Sequence, residues 1–161
     1  MTKKLNANEC LQLHWNGKLP VNPVSIANAL GITVYKSFLE QDPLHITYET
    51  NSMSFEITVN DHDSRVRQRF SIAHAMGHIL LQHPLAQDTP YIDTPLSFSS
   101  NAVGQEKEAN QFALELLLPE RLVKTWFSKM ITADVSDAAK MFDVAEAALY
   151  QRLVLLNLIK P

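Results

Sequence analysis

Cysteine is nearly absent: Cys10 is the one instance in 161 residues. A lone thiol excludes an internal disulfide framework and suits a reducing compartment. Cys10 itself reads as a small buried hydrophobe. A basic excess is missing too. Lys and Arg total 14 against 17 Asp and Glu, for a net charge of -3, which argues against nonspecific nucleic-acid binding. No apolar run approaches the roughly 18–20 residues that a membrane span requires. No secretory pattern follows Met1-Thr2-Lys3-Lys4. These absences point to a cytoplasmic protein that makes no use of a membrane. The length suits one domain, 1–161, large enough for a real core.

One further absence bears directly on chemistry. The stretch Arg69-Phe70-Ser71-Ile72-Ala73-His74-Ala75-Met76-Gly77-His78-Ile79-Leu80-Leu81 reads as a buried helix. His74 and His78 stand four residues apart, so they lie about 40° apart on one face, one turn above the other. Two imidazoles so placed can share one zinc ion, as on the H-E-x-x-H helices of zinc peptidases. What is missing is the glutamate: Ala75 occupies its position. The spacing alone is a weak signal, because unrelated histidines also fall four apart. The helical wheel adds weight to it. Ile72, Ala73, Met76, Ile79 and Leu80 form one apolar arc, and the two histidines sit opposite, in surroundings too apolar for a solvated face.

Two histidines need at least one more protein ligand. The stretch from Glu106 to Leu118 has helical periodicity and stops near Pro119. Glu108, Gln111 and Glu115 share one polar face. Glu106 and Asn110 fall on another, with Ala113 and Leu117. A carboxylate among small and apolar residues needs a strong partner, since burying a lone charge is costly, and a zinc ion is such a partner. Asn110, one turn on, can support a ligand from behind. A second reading stays open here: Glu106 also suits the first turn of a helix, where negative charge is favourable.

Taken together, the run Arg-Phe-Ser-Ile-Ala-His-x-Met-Gly-His-Ile-Leu-Leu and the later Glu-x-x-Ala-Asn-x-Phe-Ala-x-Glu-Leu-Leu-x-Pro resemble the ImmA/IrrE family of zinc metallopeptidases. The segment from Pro23 to Ile32 resembles the family more weakly. The resemblance implies His74, His78 and Glu106 as Zn2+ ligands, with position 75 that of the catalytic glutamate. It implies an α+β fold: a small antiparallel or mixed β-sheet packed on a zincin-like active-site helix, with a zinc-site core over 1–118 and a helical region over 119–161. It also implies an intracellular endopeptidase whose protein substrate is a helix-turn-helix transcriptional repressor, often borne by a prophage or mobile element, or an antitoxin or toxin component. Ala75 then implies that the chain as it stands cleaves poorly or not at all. Two origins fit that residue. One is replacement of a glutamate in an otherwise intact motif, which the remaining residues favour. The other is a natural pseudopeptidase. The competing function is a noncatalytic zinc-binding or antitoxin-like interaction module.

The rest of the chain supplies scaffold. Residues 6–16 read as a short helix, and Pro23 opens a second that Gly31 stops. Segments 32–35, 44–49 and 54–59 read as strands, the last two as an antiparallel hairpin. In the third, Phe55, Ile57 and Val59 share one face. If that strand lies at the sheet edge, its backbone is available to an extended substrate. The charged segment 60–69 reads as a loop leading into a helix. His62 and His83 are within reach of a role as oxyanion donors, but each reads first as a surface or capping histidine. Residues 84–104 read as a long irregular connection, in position to cover the cleft. Residues 135–144 and 145–156 resemble a helix-turn-helix. The second of these offers mainly Tyr150, Gln151 and Arg152 to a groove, so packing or partner docking suits it better than direct nucleic-acid binding.

Overall fold

A computed structural model describes residues 3–85, 91–92, 102–129 and 134–161. Helices α1 (Ala7–His14) and α2 (Pro23–Ala29) open the chain. Asn6 and Glu9 start α1 by a reciprocal capping box, each side chain bonding the other's backbone N–H at 2.9 Å. Asn22 caps α2, Pro23 occupies its first turn, and Gly31 follows it with φ +77. That φ lies in the left-handed region, which a glycine adopts without a Cβ penalty.

Strands β1 (Thr33–Ser37), β2 (Leu44–Glu49), β3 (Ser54–Asn60) and β4 (Tyr91–Ile92) form one mixed sheet in the order β1-β3-β2-β4. β1 runs parallel to β3 and β2 antiparallel to it, and β4 adds antiparallel to β2 through His45↔Ile92 and Ile46↔Tyr91. β3 therefore has a neighbour on both sides. The condition for an extended substrate to pair with Phe55, Ile57 and Val59 is not met. Ile57 and Val59 are fully buried and face the core instead. The hairpin was legible from alternation, but the parallel β1–β3 pairing that moves β3 inward leaves no local trace.

Helix α3 (Arg65–Leu80) follows β3 directly. Ser64 caps it, accepting from the Arg67 backbone N–H. It starts within the segment expected to be a loop, because the charged residues there find partners inside the protein. Gln68 donates to the carbonyls of Asn60 and Asp63 at 3.1 and 3.0 Å. Arg69 donates to Val21 O at 2.6 Å and to Asp143 O at 2.9 Å. Every residue from Ser71 to Leu80 is buried. The expected connection over 84–104, with its role as a cover, lies mostly outside the described residues; 84–85, β4 and 102–104 are the parts of it that are described.

The described chain continues through α4 (Gly104–Leu117), α5 (Glu120–Ser128), α6 (Val135–Phe142) and α7 (Glu146–Leu155). Asp143, at φ 54, makes the turn between α6 and α7, and its carboxylate lies 2.6 Å from Arg65 Nε and 3.3 Å from Arg69 Nε. Arg152 is buried on α7 and donates to Leu118 O at 3.0 Å. The one guanidinium on the helix-turn-helix-like pair thus points inward and serves packing.

Helices α3 and α4 meet at Gly77. A Cβ built there would lie 3.0 Å from Ala109 Cα and 3.1 Å from Phe112 Cβ. The missing side chain is what lets the two backbones approach. Gly77→Ala is expected to destabilise the metal-free protein by about 1–3 kcal/mol through overpacking, read as a lower urea midpoint at unchanged slope. An unchanged midpoint would mean that the two helices separate at no cost.

Candidate metal centre

The close approach of α3 and α4 decides what meets between them. From α3 come His74 and His78, both fully buried, with their Nε2 atoms 3.0 Å apart. From the first turn of α4 comes Glu106, whose Oε2 lies 3.2 Å from His74 Nε2 and 3.5 Å from His78 Nε2. These three residues form a cluster of potential ligands whose donor atoms all lie within 4.8 Å of one another.

The surrounding hydrogen bonds accommodate a set of imidazole tautomers that presents two lone pairs to one point. His74 Nδ1 lies 2.8 Å from Asn110 Oδ1. An amide oxygen only accepts, so Nδ1–H donates and His74 Nε2 carries the lone pair. His83 Nε2 lies 2.9 Å from Glu108 Oε2, and His83 Nδ1 lies 2.9 Å from His78 Nδ1. The Glu108 carboxylate accepts the His83 Nε2–H. His83 Nδ1 then accepts from His78 Nδ1–H, and His78 Nε2 also carries a lone pair. Two lone pairs and a carboxylate oxygen thus converge within 3.5 Å. A positive charge among these atoms, whether a proton on an imidazole Nε2 or a metal ion, turns their mutual repulsion into attraction.

Spacing and chemistry both fit a metal ion. Donors around a tetrahedral ion with bonds of about 2.0–2.1 Å stand about 3.3–3.4 Å apart, against 3.0, 3.2 and 3.5 Å here. Glu106 Oε2 is buried and has no hydrogen bond of good geometry among the described residues. Its other oxygen, Oε1, accepts from the Tyr91 hydroxyl. Burial pushes the Glu106 carboxyl up, but His74, the Tyr91 hydroxyl and the nearby His78 outweigh it and bring the carboxyl down to about 2. Glu106 is therefore ionised, as a metal ligand must be.

Two residues that the sequence reading discounted or missed complete the centre. His83 does not face the site as an oxyanion donor; it backs His78 and relays Glu108 to it. Tyr91 lies in a stretch of Pro, Thr and Asp with no periodicity to single it out. Its ring packs 4.8 Å from the His78 ring while its hydroxyl holds Glu106. His62 sits elsewhere, against the Phe38 ring at 4.8 Å and 3.7 Å from Asp61. Ala75 is fully buried on α3 between the histidines, and its methyl neither gives nor takes a proton.

The chain is similar to known proteins over most of its length. A peptidase family model described as the IrrE N-terminal-like domain matches residues 27–154. "Uncharacterized immunity region protein 2" of Bacillus phage phi105 is 31% identical over 113 residues, covering 70% of this chain and 68% of the phage protein. A solved Mycobacterium tuberculosis transcriptional regulator shares the fold with a TM-score of 0.52 and 17% identity. That likeness covers 96% of this chain but spans only 42% of the regulator.

If Asn110 and His83 orient the ligands as the distances imply, Asn110→Ala lowers metal affinity by about 10- to 100-fold while the metal-free melting temperature changes little. Competition against a chromophoric zinc chelator measures this. Equal affinities for the two proteins would remove Asn110 from the centre.

Proposed function

Because the chain belongs to the peptidase family defined by the IrrE N-terminal-like domain, we propose that it is a zinc-binding endopeptidase scaffold directed at a regulatory protein, with catalysis held near zero by Ala75. The observation that carries this reading is the convergence of His74 Nε2, His78 Nε2 and Glu106 Oε2, with a hydrogen-bond partner on the Nδ1 of each imidazole. Zinc at such a centre polarises a peptide carbonyl and acidifies its bound water.

The protein's own groups have separable tasks. Asn110 and His83 hold the two imidazoles in the tautomer that presents a lone pair. Tyr91 occupies one oxygen of Glu106, which leaves the other directed at the histidines. No carboxylate stands at position 75 to take a proton from water and deliver it to the leaving amine. General acid–base catalysis of that kind contributes about 10²–10⁴-fold in rate, so Ala75 leaves a protein that binds a polypeptide far better than it cuts one.

A repressor or an antitoxin or toxin component is the substrate class best supported, since a relative 31% identical is an immunity-region protein of a phage. Ala75 itself favours the second reading, a noncatalytic module that regulates its partner by holding it. No helix among the described residues is long and apolar enough to cross a membrane.

The residue at 75 separates the two readings. Partners captured from the host with the chain as it stands are incubated with zinc-loaded Ala75→Glu, and products are read by intact mass. The peptidase reading expects cleavage at one bond, at least about 10²-fold faster than with Ala75 and abolished by chelator. Full zinc occupancy with stable binding and no cleavage in either form would decide for the noncatalytic module.

A further inference from the structure

The metal centre makes no use of Ser71. That residue is 1% exposed, and its Oγ has no hydrogen-bond partner among the described residues. A buried hydroxyl in this state costs stability, so alanine would serve the fold better. Ser71 is among the residues lining a cavity of about 400 Å3 between α3 and the start of α7, walled by Val66, Phe70, Val144 and Ala148, with Gln151 also bordering it. Two links tie this cavity to the centre. The Phe70 ring lies 6.5 Å from the His74 ring, centroid to centroid. Ser71 precedes Ala75 by four residues, so both stand on one face of α3, a turn apart.

We infer that this cavity is a specificity pocket that receives one side chain of the bound polypeptide, and that the side chain is neutral, with a hydrogen-bonding tip on an apolar stem. Tyrosine, glutamine and threonine fit this description. The inference rests on the peptidase reading only in naming the ligand as a polypeptide. The volume falls in the range of small-ligand pockets, which pair mostly apolar walls with a few placed polar groups. Ser71 can donate or accept, and Gln151 can do both, so either an amide or a hydroxyl tip is satisfied. Arg67 also borders the cavity, 3.7 Å from Asp63, and its charge disfavours lysine and arginine. A carboxylate entering would meet Arg67 only in competition with Asp63, already 3.7 Å from that guanidinium, and would otherwise give up its water for mostly apolar walls, a poor exchange.

The test uses three probes on the whole protein, followed through backbone amide resonances: N-acetyl-tyrosinamide, N-acetyl-glutaminamide and N-acetyl-lysinamide. The first two are expected to shift Ser71, Val144 and Ala148 saturably, and the lysine probe to leave them in place. Ser71→Ala is expected to keep or raise the melting temperature while weakening the tyrosine probe by roughly three- to tenfold, the value of one hydrogen bond. Ala148→Phe, on a partly exposed helix position, fills the cavity and abolishes the shifts. The pocket is overturned if the lysine probe binds as well as the others, if no probe moves Ser71, or if Ser71→Ala lowers the melting temperature with probe affinity unchanged. None of these readouts needs metal or cleavage. Failure of the peptidase reading would show instead as absent zinc binding or an inert Ala75→Glu form, with the titrations intact.

Discussion

Two imidazole nitrogens and a carboxylate oxygen are held within 3.5 Å of one another, an arrangement that a proton or a metal ion among them makes favourable. Most of the surrounding structure can be understood as the means of imposing that arrangement. Asn110 and the His83–Glu108 pair turn the imidazole protons outward. Tyr91 engages one oxygen of Glu106 from a strand two residues long. Gly77 gives up its side chain so that α4 can bring Glu106 close enough. Fold and site are joined at these contacts: the helix packing that buries apolar surface also sets the donor spacing.

The parts of the centre legible in the sequence were those with a helical period. His74 and His78 stand out because they are polar residues four apart in a stretch otherwise fit for a core. Glu106 stands out against Glu108 and Glu115 because the wheel places it among small and apolar neighbours. The structure brings these three residues together. His83 and Tyr91 were not legible, for different reasons. His83 lies just beyond the helix, where Gln82 turns with φ 61, and no period extends across such a turn. Tyr91 reaches the site through β4, whose pairing with β2 depends on residues some 45 positions earlier in the chain. The interior place of β3 was hidden in the same way, since its parallel partner β1 is set by the path of the chain and not by the strand's own alternation.

Ala75 divides binding from chemistry. The ligands, their supports and the α3–α4 packing are all present without a carboxylate at that position. A methyl group there leaves the charge of the cluster to Glu106, which the histidines and the Tyr91 hydroxyl keep ionised against the opposing effect of burial. On the proposed reading, affinity for a cation and competence to move a proton are separate properties of one helix, assigned to residues next to each other in sequence.

Arg69 has a bearing on how the chain reaches this state. Its guanidinium, 9% exposed, binds the carbonyls of Val21 and Asp143, which lie 48 and 74 residues away along the chain in opposite directions. A buried cation is costly until both partners arrive, and contacts of such long range are slow to form because loop closure precedes their reward. The helix bearing the histidines thus cannot settle by local zipping alone. Its N-terminal half is completed only when the first helices and the α6–α7 turn close on it together, which makes docking of the two ends of the chain and completion of the central helix one cooperative folding event.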